Sequence, residues 1–160
     1  MSEVKPYSTD NDKKGQIENM FDNIAPSYDL LNHLFTLGID RGWRKKMIKM
    51  LSNDQPKIIL DVATGTGDVA IKLAKMLKPN KVIGLDLSAN MLEIGRQKVE
   101  KADLSNIITL QQGDSENLPF EEGYFDAVTV AFGVRNFENL KKGLSEMRRV
   151  TRVGGQVAIL

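Results

Sequence analysis

The stretch that most constrains this chain is Ile58-Ile59-Leu60-Asp61-Val62-Ala63-Thr64-Gly65-Thr66-Gly67-Asp68. Its short, β-branched apolar run suits a strand covered on both faces. The run opens into a glycine turn, and a helix is predicted to start near Asp68. Gly65 and Gly67 let the backbone turn sharply and approach a ligand with no Cβ in the way. The strand pattern returns in Lys81-Val82-Ile83-Gly84-Leu85-Asp86 and ends on a carboxylate. A glycine turn followed about 20 residues later by an acid is the general signature of a nucleotide-ribose site.

A Gly-x-Gly alone is weak, and the acids around it narrow the ligand. A dinucleotide site sets its pyrophosphate on the N-terminus of the following helix. Here Asp68 holds that end and Asp61 lies just inside the strand. Two carboxylates there repel a pyrophosphate but suit a ligand with ribose hydroxyls and a positively charged amino group. S-adenosyl-L-methionine has those groups and no phosphate; NAD(P) stands as the alternative.

Bulk properties exclude several classes. A chain of 160 residues is expected to form one domain and to bury roughly two-thirds of its unfolded surface. A net charge of +1 gives no electrostatic case for nucleic acid. With no Cys and a single His, disulfides, thiol catalysis and a multi-histidine metal site are excluded, so no metal is expected. The absence of Cys also agrees with a reducing cytoplasm. Residues 1–14 are polar, read as a flexible lead, and carry neither signal peptide nor membrane span.

Along the chain, Ile17, Met20, Phe21 and Ile24 recur at helical spacing, and Pro26 is expected to end that helix. A second helix is predicted from an Ser27 N-cap through Tyr28, Leu30, Leu31, Leu34 and Phe35 to Gly38. A third opens at Asp40 with Trp43, Met47, Met50 and Leu51 on one face. Residues 15–53 thus read as a helical cap before a nucleotide-binding core at 54–160. In the core, helices are expected after the glycine turn, after Ser88 and around Leu140, Leu144 and Met147. Strands are expected at Ile107–Leu110, Phe125–Phe132 and Gln156–Leu160. Alternating strands and helices imply an α/β, Rossmann-like, doubly wound and mostly parallel sheet. Such a sheet is expected to continue beyond a fifth strand, so the chain reads as a C-terminally truncated piece of a longer parent, a naturally short chain being the alternative.

Three blocks carry a family resemblance: Met20-Phe21-Asp22-Asn23-Ile24-Ala25-Pro26-Ser27-Tyr28-Asp29-Leu30-Leu31-Asn32, Asp61 to Asp68, and Ala131-Phe132-Gly133-Val134-Arg135-Asn136. Gly38 followed by Trp43-Arg44 agrees with them. Together they resemble a class I S-adenosylmethionine-dependent methyltransferase, and more narrowly the UbiE/MenG-type C-methyltransferases of menaquinone and ubiquinone biosynthesis. The glycine loop is shared by the whole superfamily; the first and third blocks are the specific ones.

The resemblance implies methylation of a ring carbon of a polyprenylated hydroquinone, demethylmenaquinol to menaquinol first among them, with S-adenosyl-L-homocysteine as product. Asp86 is expected to accept both ribose hydroxyls, and Asp114 the adenine amine with Ser115 beside it. Thr64, Gly65 and Gly67 are expected along the methionine half, Asp61 at the amino group, and Ala131 beside the transferred methyl. Arg135 and Tyr28 are expected to orient the ring oxygen, with Asp29, His33 and Asn136 as further polar candidates. The basic cluster Arg41, Arg44, Lys45, Lys46 and Lys49 reads as a solvated helix face, with peripheral contact to anionic lipid as the alternative. A class I methyltransferase with a different small-molecule acceptor, an NAD(P) oxidoreductase and a non-catalytic donor-binding domain are the competing readings. Oligomeric state is open.

Overall fold

A computed structural model describes the backbone of residues 13–36 and 39–160 and the side chains of 13–28 and 40–160. Two helices, α1 (Lys13–Thr36) and α2 (Ile39–Leu51), precede β1 (Ile58–Val62). The chain then alternates through α3 (Asp68–Leu77), β2 (Lys81–Asp86), α4 (Ala89–Lys101), β3 (Ile108–Gln112), β4 (Phe125–Val130), a 3-10 turn (Val134–Asn136), α5 (Leu140–Val150) and β5 (Thr151–Ile159). The five strands form one sheet in the order β3-β2-β1-β4-β5, every neighbouring pair parallel. The α/β, doubly wound expectation is therefore met. The order reverses at β1, where the chain winds outward first through β2 and β3 and then through β4 and β5. Ligands of open α/β sheets sit outside the carboxyl ends of the strands at such a point.

Period-two alternation sorts the strands between two cores. Ile59, Val82 and Ala127 pack with Met47, Ile48, Leu73 and Leu92 under α2, α3 and α4. Leu60, Val62, Ile83, Val128 and Val130 pack with Phe125, Met147 and Val150 on the α5 side. Register then aligns Asp61 with Gly84 on one side and Thr129 on the other, a polar row inside the first core. A Cβ on Gly84 would lie 2.9 Å from the Thr64 side chain, so its bareness makes room for the threonine that follows β1.

The N-terminal helices depart from expectation. Pro26 does not end the first helix: α1 runs through it, from Lys13. A proline lacks the N–H that would bond the carbonyl four residues back, here that of Asp22. That carbonyl instead accepts from Asn90 Nδ2 at 3.4 Å, and the Asp22 carboxylate takes the Ser88 hydroxyl. The start of α4 thus supplies what the proline removes. Lys13 and Lys14, expected in the flexible lead, are the first residues of α1; residues 1–12 lie outside the described residues.

On α2 the buried stripe is Asp40, Arg44, Met47, Ile48 and Leu51, whereas Trp43 and Met50 are more than half exposed. Two charged residues hold helical core positions because they pair, Arg44 Nη2 with Asp40 at 3.4 Å. A hydrophobic pattern is blind to such a pair. Likewise Leu140 and Leu144 of α5 are exposed, and its buried face is Gly143, Met147 and Val150. The fifth strand begins at Thr151, earlier than expected, with a register irregularity opposite Phe125 and Ala127.

Candidate functional site

Two adjoining cavities lie over the carboxyl ends of the strands and share Tyr28, Ala63, Gly65 and Ala131. The turn after β1 forms their floor. Gly65 and Gly67 hold φ of +57° and +79°, in the left-handed region that glycine adopts freely. Gly67 caps α3 and its N–H bonds Thr64 O at 3.0 Å, but it lines neither cavity. Ala63 and Phe132 also sit at positive φ, +52° and +63°, just past the ends of β1 and β4. The Tyr28 ring stands over Gly65, 4.0 Å from where a Cβ would be.

The first cavity brings together Asp86, Asp114, Ser115, Arg135, Asn136 and Tyr28. Asp86 is fixed by the backbone: Oδ2 accepts from Gly65 N at 2.8 Å and Oδ1 from Ser88 N at 3.0 Å. Burial raises its pKa above the ordinary carboxylate value, and the N–H groups of Ser88, Gly65 and Leu87 oppose that rise. Both oxygens keep lone pairs for a ligand's paired hydroxyls. Asp114 accepts Glu116 N at 2.8 Å and pairs with Lys14 Nζ at 2.7 Å. Arg135 is exposed on the 3-10 turn at the rim.

Helix α1 crosses the mouth of this cavity. Lys13 Nζ donates to Phe137 O at 3.0 Å, and Lys14 also reaches Glu116 at 3.2 Å. The hydrogen bond to Asp114 raises the Lys14 pKa. Glu116 is buried and its Oε1 accepts the N–H groups of Glu138 and Asn139 at 2.8 and 3.0 Å. It thereby ties the loop after β3 to the start of α5. Asp29 and His33 belong to α1, but their side chains lie outside the described residues.

The second cavity is lined by Asp61, Thr64, Thr66, Asp68 and Arg44. Asp61 is 1% exposed. Its Oδ2 accepts from Thr64 Oγ1 and its Oδ1 from Thr129 Oγ1, both at 2.6 Å. Burial pushes its pKa up to about 6, against the two hydroxyls and the charge of Arg44, which lower it. The Thr64 hydroxyl, expected to face a ligand, therefore spends its proton on Asp61. Asp68, at the first position of α3, pairs with Lys98 and with Arg44 at 3.4 Å.

Sequence reasoning overlooked Lys14, Asp22, Glu116, Thr129 and the burial of Arg44. The signal for Thr129 is the register that sets it beside Asp61; for Arg44 it is Asp40 four residues earlier, an i,i+4 ion pair. Among the described residues no group of acids and His is placed to hold a metal ion.

A parallel Rossmann-like sheet with a strand-end acid and a glycine turn under one cleft is the architecture of class I methyltransferases, and comparison agrees. A candidate S-adenosyl-L-methionine-dependent methyltransferase from Methanococcus maripaludis superposes with a TM-score of 0.70 at 25% identity, over 96% of this chain and 66% of that one. The chain belongs to the ubiE/COQ5 methyltransferase family, whose model matches residues 8–160. It is 54% identical over 157 residues to the demethylmenaquinone methyltransferase of Bacteroides fragilis, across 98% of this chain and 64% of that protein. It is 45% identical over 151 residues to the ubiquinone/menaquinone biosynthesis C-methyltransferase UbiE of Geobacter sp. strain M21, across 94% of this chain and 64% of that protein. The chain thus spans just under two-thirds of the length of these relatives.

Proposed function

We propose that this chain carries the donor site and part of the acceptor site of an S-adenosyl-L-methionine-dependent C-methyltransferase. Its acceptor on this reading is a polyprenylated hydroquinone, demethylmenaquinol, which becomes menaquinol. The observation that carries the reading is Asp86, a carboxylate locked by two backbone N–H groups at the end of β2 and facing a cleft. Such an acceptor fits paired ribose hydroxyls in a charge-assisted arrangement. The fit extends along the cleft. Asp114 and Ser115 lie toward the adenine end, and Asp61, Thr64 and Asp68 toward an amino-acid end. Asp68 at the N-terminus of α3 disfavours a pyrophosphate there. The names of the family relatives supply the acceptor class.

When bound, S-adenosyl-L-methionine supplies a methyl group made transferable by its sulfonium. The chain's residues hold and align it near the acceptor carbon, at a near-attack distance of about 3–3.5 Å. Arg135 and Tyr28, both lining the first cavity, orient the ring oxygen. Arg135, always protonated, takes no proton itself and would stabilise a phenolate oxygen on the acceptor ring. Ala131 sits where the cavities join and offers no hydrogen bond, leaving room for the ring.

No helix among the described residues is long and apolar enough to cross a membrane. A prenylated acceptor calls for peripheral contact, and α2 suits it: exposed Trp43 and Met50 stand among exposed Arg41, Lys45, Lys46 and Lys49.

Calorimetric titration with S-adenosyl-L-homocysteine, with NAD as control, tests the donor reading. Saturable binding of the first and none of the second is expected. Binding of NAD alone would sink it.

A further inference from the structure

Helix α1 supplies one wall of the first cavity from a single face. Lys14, Ile17, Glu18, Phe21 and Tyr28 line the cavity, at helical spacing. A molecule held under that face is covered by it, so the way each part of α1 is fastened decides how the cavity opens.

The fastenings differ along the helix. Past its middle, Asp22 docks on the start of α4: its carboxylate takes the Ser88 hydroxyl and, at 3.3 Å, the Asn90 N–H. Ser88 is 1% exposed, and Ala25, three residues after Asp22, is 2% exposed. Water and salt have little access to this joint. The N-terminal end is tied by two lysines instead. Lys13 Nζ donates to Phe137 O, and Lys14 Nζ lies 2.7 Å from Asp114 Oδ2 and 3.2 Å from Glu116 Oε2. The Lys14 and Asp114 side chains are 26% and 29% exposed. Of the apolar side chains between Lys13 and Asp22, only Ile17 is buried. Hydrophobic burial therefore holds this end lightly. What remains are part-exposed ion pairs, which are individually weak and screened by salt.

We propose that the N-terminal half of α1 is a lid over the first cavity, hinged near Asp22, and that Lys14 is its latch. Lys14 bridges the lid to Asp114 and Glu116 on the loop after β3, and a small molecule enters when those pairs part. Lys14 is then a positioning residue, acting through α1. Opening is a property of the helix, whichever molecule the cavity takes.

The chain has no cysteine, so a single introduced thiol reports opening. Ser115→Cys is close to isosteric and sets a thiol in the first cavity beside the latch, at a position 8% exposed. Ala25→Cys sets one beyond the hinge. Each is labelled with the uncharged reagent methyl methanethiosulfonate. Lys14→Met is expected to speed labelling at 115 by about three- to tenfold, as for the loss of two part-exposed ion pairs, and to change position 25 by less than about twofold. Lys14→Arg, which keeps the charge, is expected to return labelling near the starting rate. Raising sodium chloride from about 50 to about 500 mM is expected to speed labelling at 115 while Lys14 is present and not in Lys14→Met. Loss of a neighbouring cation would by itself slow a thiol, so acceleration reports access. An unchanged rate at 115 overturns the proposal. An equal rise at 25 also overturns it, because the whole helix or the whole fold would then be loosening. No cleft ligand enters the measurement, so its failure leaves the donor reading standing, and a failed donor titration leaves the lid standing.

Discussion

Asp86 and Asp61 stand on adjacent strands, at two ends of one cleft, and are held by different kinds of donor. Asp86 takes the N–H groups of Gly65 and Ser88; Asp61 takes the hydroxyls of Thr64 and Thr129. Burial raises both above the ordinary carboxylate value. Backbone donors are part of the fold and cannot rotate away, so Asp86 faces the cleft in one orientation before any ligand arrives. Hydroxyls turn, and Asp61 lies almost wholly buried at the base of the second cavity, held by two of them. The first carboxylate is held in place by the fold itself. The second is a buried charge whose hydroxyl donors can reorient, so its removal is expected to be felt in stability as well.

Removing each acid sharpens or breaks that contrast. Hydrogen bonds to a charged acceptor contribute roughly 1.5–3 kcal/mol each, and Asp86 is read as accepting two. Asp86→Ala is therefore expected to weaken S-adenosyl-L-homocysteine by about 100-fold or more in calorimetry. A loss under about tenfold would place the ribose elsewhere.

Asp61→Asn should instead appear in the pH dependence of unfolding. The folded carboxyl titrates at about 6 against 3.8 for the free group. With the folded value raised, the contribution to stability is fully present below the unfolded value and is lost as pH rises through about 6. The gap of about two units corresponds to on the order of 3 kcal/mol. Urea unfolding from pH 4 to 7 is expected to show the unaltered chain losing ground to Asp61→Asn by up to that amount. A difference that stays constant with pH would break the comparison.

A smaller effect is expected for Thr129→Val, which strips one of the two hydroxyls from Asp61. Stability at pH 7 should fall by about 1–2 kcal/mol, while affinity for S-adenosyl-L-homocysteine stays within about twofold. Thr129→Ser, which keeps the hydroxyl, should recover most of the loss. A large fall in affinity would mean that Asp61 is presented to the ligand as firmly as Asp86 is.

The same contrast explains what could be read before the fold was known. Asp86 was legible because a strand-end acid at fixed spacing from a glycine turn is a local pattern. The parallel sheet and helices α3 to α5 were legible from alternating apolar runs, though strand ends shifted by several residues. Thr129 was not legible, since its place beside Asp61 depends on the register of β4 against β1. Nor was the long α1, because the partner for the Asp22 carbonyl freed by Pro26 comes from Asn90, 68 residues after Asp22. Arg44 was misplaced on a solvated face, where its charge alone would put it. Its burial depends on two carboxylates, and hydrophobic periodicity gives such groups no weight.

Ala63 and Phe132 close the carboxyl ends of the two central strands in a left-handed backbone that side chains disfavour, by roughly 1–2 kcal/mol per residue. They line the cleft, so part of the backbone's strain is held at the cleft. A laboratory selection for heat resistance alone would therefore be drawn to glycine at 63, where little side chain is lost. The survivors would be sturdier molecules resting on a softer floor, and the loss would pass unnoticed until ligand affinity was measured.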